Sequence, residues 1–341
     1  MKTKININSG YLKRKKKTII ISIFLILITI SLSFTMLMVG KENYSIETVI
    51  KVLLGQEVDS ANFAISIIRL PRMLSGLLVG ISLAIAGNTF QTILRNSLAS
   101  PDVIGISTSS SAAAVFCILV LNYSGFIVSI ISTIFGILIA ILIYALSKGN
   151  IFSNNRLILI GIGVQTMLNS LISYIMVNAN EYDVPEALRW LSGSLNGVQM
   201  KSIPSLFIVT IIFTFIILLL EEHLKIMELG EDLSVTLGVK TDLIRIILII
   251  SSVFLIAFST SVTGPISFVA FLSGPIAKKL VGTGSKNILI SGLIGAILVL
   301  LSDLIGQFVL NTRYPVGVIT GVLGAPYLLI LLIKLNKKGG I

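Results

Sequence analysis

The chain holds one cysteine and one histidine in 341 residues. Cys117 cannot close an internal disulfide, and His223 cannot belong to a multi-histidine metal site. Charge is scarce as well. Asp, Glu, Lys and Arg make up 12% of the chain, about half the ~25% of a soluble globular domain. No paired acids and no nucleophile–base constellation stand out, so acid–base or covalent chemistry is not expected. The phosphate loop G-x-x-x-x-G-K-S/T is missing too. Gly282-Thr283-Gly284-Ser285-Lys286 looks similar, but it lacks the first glycine at the required spacing and is followed by Asn287. It reads as a basic turn, and any ATP hydrolysis must come from a partner.

What is present is apolar. Hydrophobic residues are 55% of the chain and the mean hydropathy is +1.00. Long apolar runs recur from Thr18 to Leu335, more than one soluble core needs but what a bilayer demands. Ten spans are predicted: 18–39, 70–94, 103–121, 126–146, 157–176, 203–220, 243–261, a broken span at 266–281 around Gly274-Pro275, then 288–309 and 318–335. The polar segment 40–68 is expected to hold a short helix at 46–54. A polar loop containing Trp190 is expected at 177–202. The organisation is thus all-α and polytopic: a basic N-terminus at 1–17, one membrane domain at 18–335 with a charged connector at 221–242, and a short tail at 336–341. The run after Lys13-Arg14-Lys15-Lys16-Lys17 is too long for a signal peptide and reads as a retained first helix.

The net charge of +11 raises nucleic acid as a partner, but the bases sit in short connectors rather than on one helical face. They read as topology. With the N-terminus inside, 19 of the 26 Lys and Arg fall on the inner side, which favours both ends in the cytoplasm. One ionisable group, Asp303, stands at depth in a span. Ion coupling would make it functional; its plain reading is a carboxylate held by Ser302 or a neighbouring helix. In the inner connector, Leu229, Leu233 and Leu237 recur at four-residue steps. That apolar stripe suits either a groove on a soluble partner or a membrane-surface connector.

Family motifs then appear in order along the chain. They are Arg69-Leu70-Pro71-Arg72, Leu78-Val79-Gly80, Ala86-Gly87, Arg95-Asn96-Ser97-Leu98-Ala99-Ser100-Pro101 and Ile104-Gly105. Further on come Trp190 with Gly193-Ser194, Gly230-Glu231 with Leu237-Gly238, Gly264-Pro265-Ile266-Ser267-Phe268-Val269, and Pro315-Val316-Gly317-Val318-Ile319-Thr320 with Gly324-Ala325-Pro326. The set strongly resembles the FecCD family, the membrane permeases of ABC importers for ferric siderophores, haem and vitamin B12. The resemblance implies a ten-span type II importer permease in the bacterial cell membrane with no cofactor of its own. It implies partners: a second permease, two ATP-binding subunits that hold the ATP and magnesium, and an extracytoplasmic binding protein, a lipoprotein if the cell is Gram-positive. A ferric siderophore is the favoured substrate, with haem or cobalamin as the alternative and an ion-coupled secondary transporter behind them.

By the same resemblance, Arg69 and Arg72 match arginines that receive glutamates of the binding protein, a task suited to the guanidinium fork. The third such arginine is replaced by Gln307, and Arg313 stands where an acid is usual, so Arg313 joins the docking set. Gly230, Glu231, Leu233, Ser234, Leu237 and Gly238 match the segment that couples to the ATPase. Gln91, Thr92, Ser107, Ser109, Ser110, Gln165, Asn169 and Ser170 are candidates to line the pathway, or else polar helix–helix contacts. Gly274-Pro275 stands in place of a Pro-His pair. These departures favour pairing with a non-identical sister permease.

Overall fold

The computed structural model describes residues 7–100, 105–147, 154–282 and 286–337. Residues 1–6, the expected start of the third span at 103, the motif residues Pro101 and Ile104, Lys148, the turn residues 283–285 and the tail beyond 337 lie outside them.

The described chain is helical throughout. α1 (Ile7–Met38) leads to the short α2 (Ile46–Leu53). α3 (Asp59–Asn62) runs through a π-helical stretch, Phe63–Arg69, into α4 (Leu70–Ile93). The segment expected to be polar connector is therefore largely helix. Ala61 and Ile65 are buried there and draw it onto α1 and α2. α5 (Ile106–Leu119), α6 (Phe126–Ser147) and α7 (Asn154–Asn178) follow. The loop expected at 177–202 contains a helix, α8 (Val184–Leu191), whose buried Ala187 packs with α5 and α7. α9 (Ile203–Leu219) precedes two short helices, α10 (Glu221–Met227) and α11 (Glu231–Thr236). The chain ends with α12 (Thr241–Thr263), α13 (Val269–Val281), α14 (Ile288–Phe308) and α15 (Val316–Lys337).

Seven of these helices are long and apolar enough to cross a membrane. The remaining expected spans are all helical but shorter or less apolar: α5, α13 and α15. The break lies before α13, whereas the helix expected to break around Gly274-Pro275 runs on through Pro275. Gly264 has φ +72 and Phe268 φ +66, so the chain turns sharply on either side of an irregular stretch before the helix resumes.

Burial sorts the helices into layers. In α4, 83% of the apolar window is buried, against 17% in α1 and 22% in α7. α4 is therefore the axis of the molecule, with α14, α12, α13 and α9 around it. Small residues make this possible. A Cβ on Gly80 would lie 2.6 Å from the carbonyl oxygen of Gly295 and 2.7 Å from the Cα of Ala296, on α14. Gly87 abuts the backbone of Ala270 on α13 in the same way. Without a hydrophobic force between helices in lipid, such contact is where packing energy comes from. Gly80→Val should force α4 off α14 at a cost of about 1–3 kcal/mol. It should lower the melting temperature in detergent; an unchanged melt would refute the close approach.

Candidate functional site

α4 and α14 run antiparallel, so each end of the pair brings their polar residues together. At the α8 end, Arg72 grips Asp303 with both arms of its fork. Nε meets Oδ2 and Nη2 meets Oδ1, each at 2.8 Å. The Asp303 side chain is 0% exposed and that of Arg72 16%. Gln307, one turn on, donates its Nε2 to Asp303 Oδ2 at 2.6 Å. The remaining Arg72 Nη1 reaches Asn196 Oδ1 at 3.3 Å. Asp303 is thus held by a neighbouring helix, as its plain reading required, though through Arg72 and Gln307 rather than Ser302.

Arg69 is committed inward too. Its Nη1 donates to the carbonyls of Leu37 and Met38 at 2.9 Å each, and its Nη2 to that of Glu42 at 2.7 Å. The guanidinium closes the last turn of α1, whose terminal carbonyls have no helical partners. It also lies 4.8 Å from the Tyr44 ring. Of the three residues expected to dock a binding protein, only Arg313 is exposed.

At the opposite end stand α10 and α11. Leu229, Leu233, Val235 and Leu237 are each 56% to 61% exposed. Beneath this apolar surface the segment is braced. Glu231 Oε2 accepts from Arg245 Nη2 at 2.8 Å, and Asp242 Oδ1 accepts from Nη1 at 3.1 Å. The Arg245 side chain is 5% exposed. Ser234, fully buried, shares its one hydroxyl proton between the carbonyl of Ile226 on α10 and that of Gly230. Gly230 (φ +123) and Gly238 (φ +83) turn the chain at either end of α11. Lys225, on α10, is pushed below the ordinary lysine value by burial, which nearby Glu221 opposes.

The residues offered for the pathway divide. Gln91 and Thr92 are buried inside the helix cluster. Thr92 bonds back to Asn88 within α4. Gln91 does something sequence reading missed. Pro275 has no N–H to give the carbonyl four residues back, Phe271. Gln91 Nε2 donates to that carbonyl at 2.9 Å. Gly274 leaves the room, since a Cβ there would collide with the Gln91 amide oxygen. Ser107, Ser109 and Ser110 are buried as well; Ser109 bonds back to Ile106, and Ser110 sits against Gly136 of α6. On α7 the picture inverts. Asn169 and Ser170 are exposed and Gln165 is half-buried, and Thr166 and Ser173 extend the same open face.

A family model of the FecCD transport family matches residues 23–334. The chain belongs to the FecCD transport family. It is 33% identical to the ferric enterobactin transport system permease protein FepG of Escherichia coli over 89% of this chain and 92% of that protein. It is 36% identical to the Fe(3+)-citrate import system permease protein YfmE of Bacillus subtilis, over 86% of this chain and 89% of that protein. YfmD, a second permease protein described for Fe(3+)-citrate import in B. subtilis, is 30% identical over 86% and 89%. Among solved structures, a chain of a metal-chelate type ABC transporter in an inward-facing conformation superposes with a TM-score of 0.82. It is 26% identical, over 92% of this chain and 99% of that one. The chain is accordingly an all-α, multi-pass membrane protein of the type II importer permease fold.

Residues not singled out from sequence are prominent at these sites: Arg245, Asn196 and the α7 residues Thr166 and Ser173. A period-3.6 count of polar residues in 154–178 would have found the last two.

Two outcomes follow. Arg72→Ala leaves a buried, unpaired carboxylate and should cost about 3–5 kcal/mol, more than the paired change Arg72→Met with Asp303→Leu. Thermal melts in detergent compare them, and equal losses would refute the pairing. Gln91→Leu leaves the Phe271 carbonyl without its donor and should cost about 1–3 kcal/mol by the same measurement; no loss would show that the carbonyl freed by Pro275 needs no side-chain donor.

Proposed function

We propose that this chain is the membrane permease subunit of an ATP-driven importer that carries an iron–siderophore complex into the cytoplasm. The observation that carries the reading is the exposed leucine surface of α11. It is built rigidly onto a multi-pass bundle that has no phosphate loop of its own. An apolar surface of that kind, fixed by Glu231–Arg245 and Ser234, suits a groove on a partner ATPase. Family membership supports the general assembly of permeases, ATPases and a substrate-binding protein. The names of FepG and YfmE favour a ferric chelate as cargo.

The orientation follows the basic residues, with α10 and α11 on the cytoplasmic side and both termini there. The opposite end then faces the binding protein. Arg313 offers it a free guanidinium, while Arg69 and Arg72 shape the surface from within. The polar stripe Thr166, Asn169, Ser170 and Ser173 on α7 cannot face hydrocarbon cheaply. It suits a translocation pathway shared with a second permease, with Gln165 at its edge. A non-identical sister is favoured because two distinct permeases are described for Fe(3+)-citrate import in one organism. Secondary transport is disfavoured, since Asp303 is neutralised by Arg72 and leaves no free acid in that span.

The test is affinity purification from detergent-solubilised native membranes with mass spectrometry. An ATPase subunit, a second FecCD-type permease and a substrate-binding protein should co-purify. Leu233→Asp with Leu237→Asp should lose the ATPase by at least about tenfold, because it would bury unpaired charge in an apolar contact, and should retain the sister permease. Retention of the ATPase by this variant would refute the docking surface. Recovery of this permease alone with an ATPase would replace the sister by a second copy.

A further inference from the structure

The leucine surface of α11 lies at one end of the molecule, and any pathway through the bundle is set by helices far from it. α10 joins the two. It carries Glu221 and Glu222, with Glu228 just past its end, and each of the three acids reaches a different place. Glu228 bonds Lys278 of α13 at 2.8 Å. Glu222 bonds Lys286, just before α14, at 2.8 Å. Both pairs are at least partly open to water and contribute little. Glu221 is different. It is 4% exposed, and its Oε1 accepts from the main-chain N–H of Asn287 at 2.8 Å and of Ile288 at 3.1 Å.

Those N–H groups open α14. They have no partner within the helix, and a carboxylate is the best acceptor for them because it also meets the positive end of the helix dipole. A buried carboxylate facing two amides is also stiff: moving it off them strands a charge and two donors together. α14 must therefore follow α10.

The link continues inward. The Asn287 side-chain oxygen accepts from Asn88 Nδ2 at 3.1 Å, and the same amide lies 3.3 Å from Ser291 Oγ. Asn88 is fully buried on α4, one residue from the Gly87 contact with α13 and two turns from the Gly80 contact with α14. On the other side, Ser234 ties α11 to the carbonyl of Ile226 on α10. Ser234, the short helix α10, the Glu221 carboxylate and Asn287 thus link α11 to the axis helix, with hydrogen bonds at each end of α10.

We propose that Glu221 is a positioning residue that transmits the ATP-driven displacement of α11 to α14 and α4, through its bonds to the Asn287 and Ile288 amides and through the Asn287–Asn88 pair. This rests on the reading of the chain as an ATP-driven permease. It assigns the stroke to a route through α10 and α14, alongside the Glu231–Arg245 bond to α12.

The experiment uses the complete importer in proteoliposomes with three iron-55 probes: ferric citrate, a ferric hydroxamate and a ferric catecholate. The readout is iron accumulated per ATP hydrolysed. Glu221→Ala should keep the ATPase bound, because residue 221 is not on the exposed surface, and should lower the ratio by about tenfold, the weight of one charge-assisted hydrogen bond. Glu221→Gln still presents an oxygen to the amides and should stay within about threefold of the parent. Asn287→Ala keeps the main-chain N–H but removes the step to Asn88, and should also lower the ratio. It decides the matter if Glu221→Ala does not fold. A parental ratio in Asn287→Ala, or in a folded Glu221→Ala, overturns the route while leaving the permease reading intact. Failure of the parent protein to accumulate any of the three probes overturns both.

Discussion

The backbone contact between α4 and α14 governs the rest of the molecule. Where Gly80 meets Gly295 and Ala296, no side chain separates the two helices. Because they run antiparallel, this one contact fixes what lies opposite what at both ends. Arg72 falls across from Asp303, and Asn88 falls across from Asn287. A wider separation would leave the guanidinium fork short of its carboxylate. The Gly87 contact with Ala270 extends the same logic to α13 and sets Gln91 against the Phe271 carbonyl. The small residues supply proximity, and the polar residues then supply register.

Several long polar side chains at depth in this bundle serve as locating pins, each completing a backbone group on another helix. Arg69 completes the end of α1. Gln91 completes the turn that Pro275 leaves open. Glu221 completes the start of α14. Each is a long side chain reaching from one helix to the unsatisfied terminus or kink of another. Hydrogen-bond partners are expensive to lack inside a bilayer, so each pin also joins two helices. The stripe on α7 breaks the pattern. Thr166 and Ser170 bond only back along their own helix, and Asn169 points away from the chain. This face completes nothing within the chain, which is why it belongs to whatever lies alongside.

Most of the fold was legible in the sequence because bilayer length is a strong ruler. Apolar runs marked all ten segments, and Gly264 marked the break before α13, while α13 runs on through Pro275. The connectors were less legible. α8 is eight residues long, and its helical signal is one buried alanine and an amphipathic pattern that a polar loop can share. The π-helical approach to α4 gave no signal of its own, since Ile65 is the one residue it buries. Site residues divided by the same rule. Leu229, Leu233 and Leu237, on and beside α11, have a period and are exposed. Gln91, Ser109 and Ser110 were suggested by polarity alone, and polarity cannot distinguish a water-filled face from a pin between helices. The partner that decides it for Gln91, the Phe271 carbonyl one turn before Pro275, lies far away in sequence.

The departures from the family pattern gain meaning from these contacts. Gln307 stands where an arginine is usual, and it donates to an Asp303 oxygen already bonded by Arg72. With one arginine and one aspartate the cluster is neutral. A second guanidinium there would crowd Arg72 with like charge, or swing outward and add a cation to the α8 end. Glutamine keeps the hydrogen bond and removes that choice, and Arg313 then carries an exposed cation nearby in sequence. Gly274-Pro275 is likewise consistent within the chain: the glycine admits the Gln91 amide, and the amide repairs the turn beside the proline. Neither substitution leaves a broken contact for a sister subunit to mend. A non-identical partner would therefore differ from this chain in the charges and side chains it presents outward, at Arg313 and along α7, while the pins inside each permease remain its own.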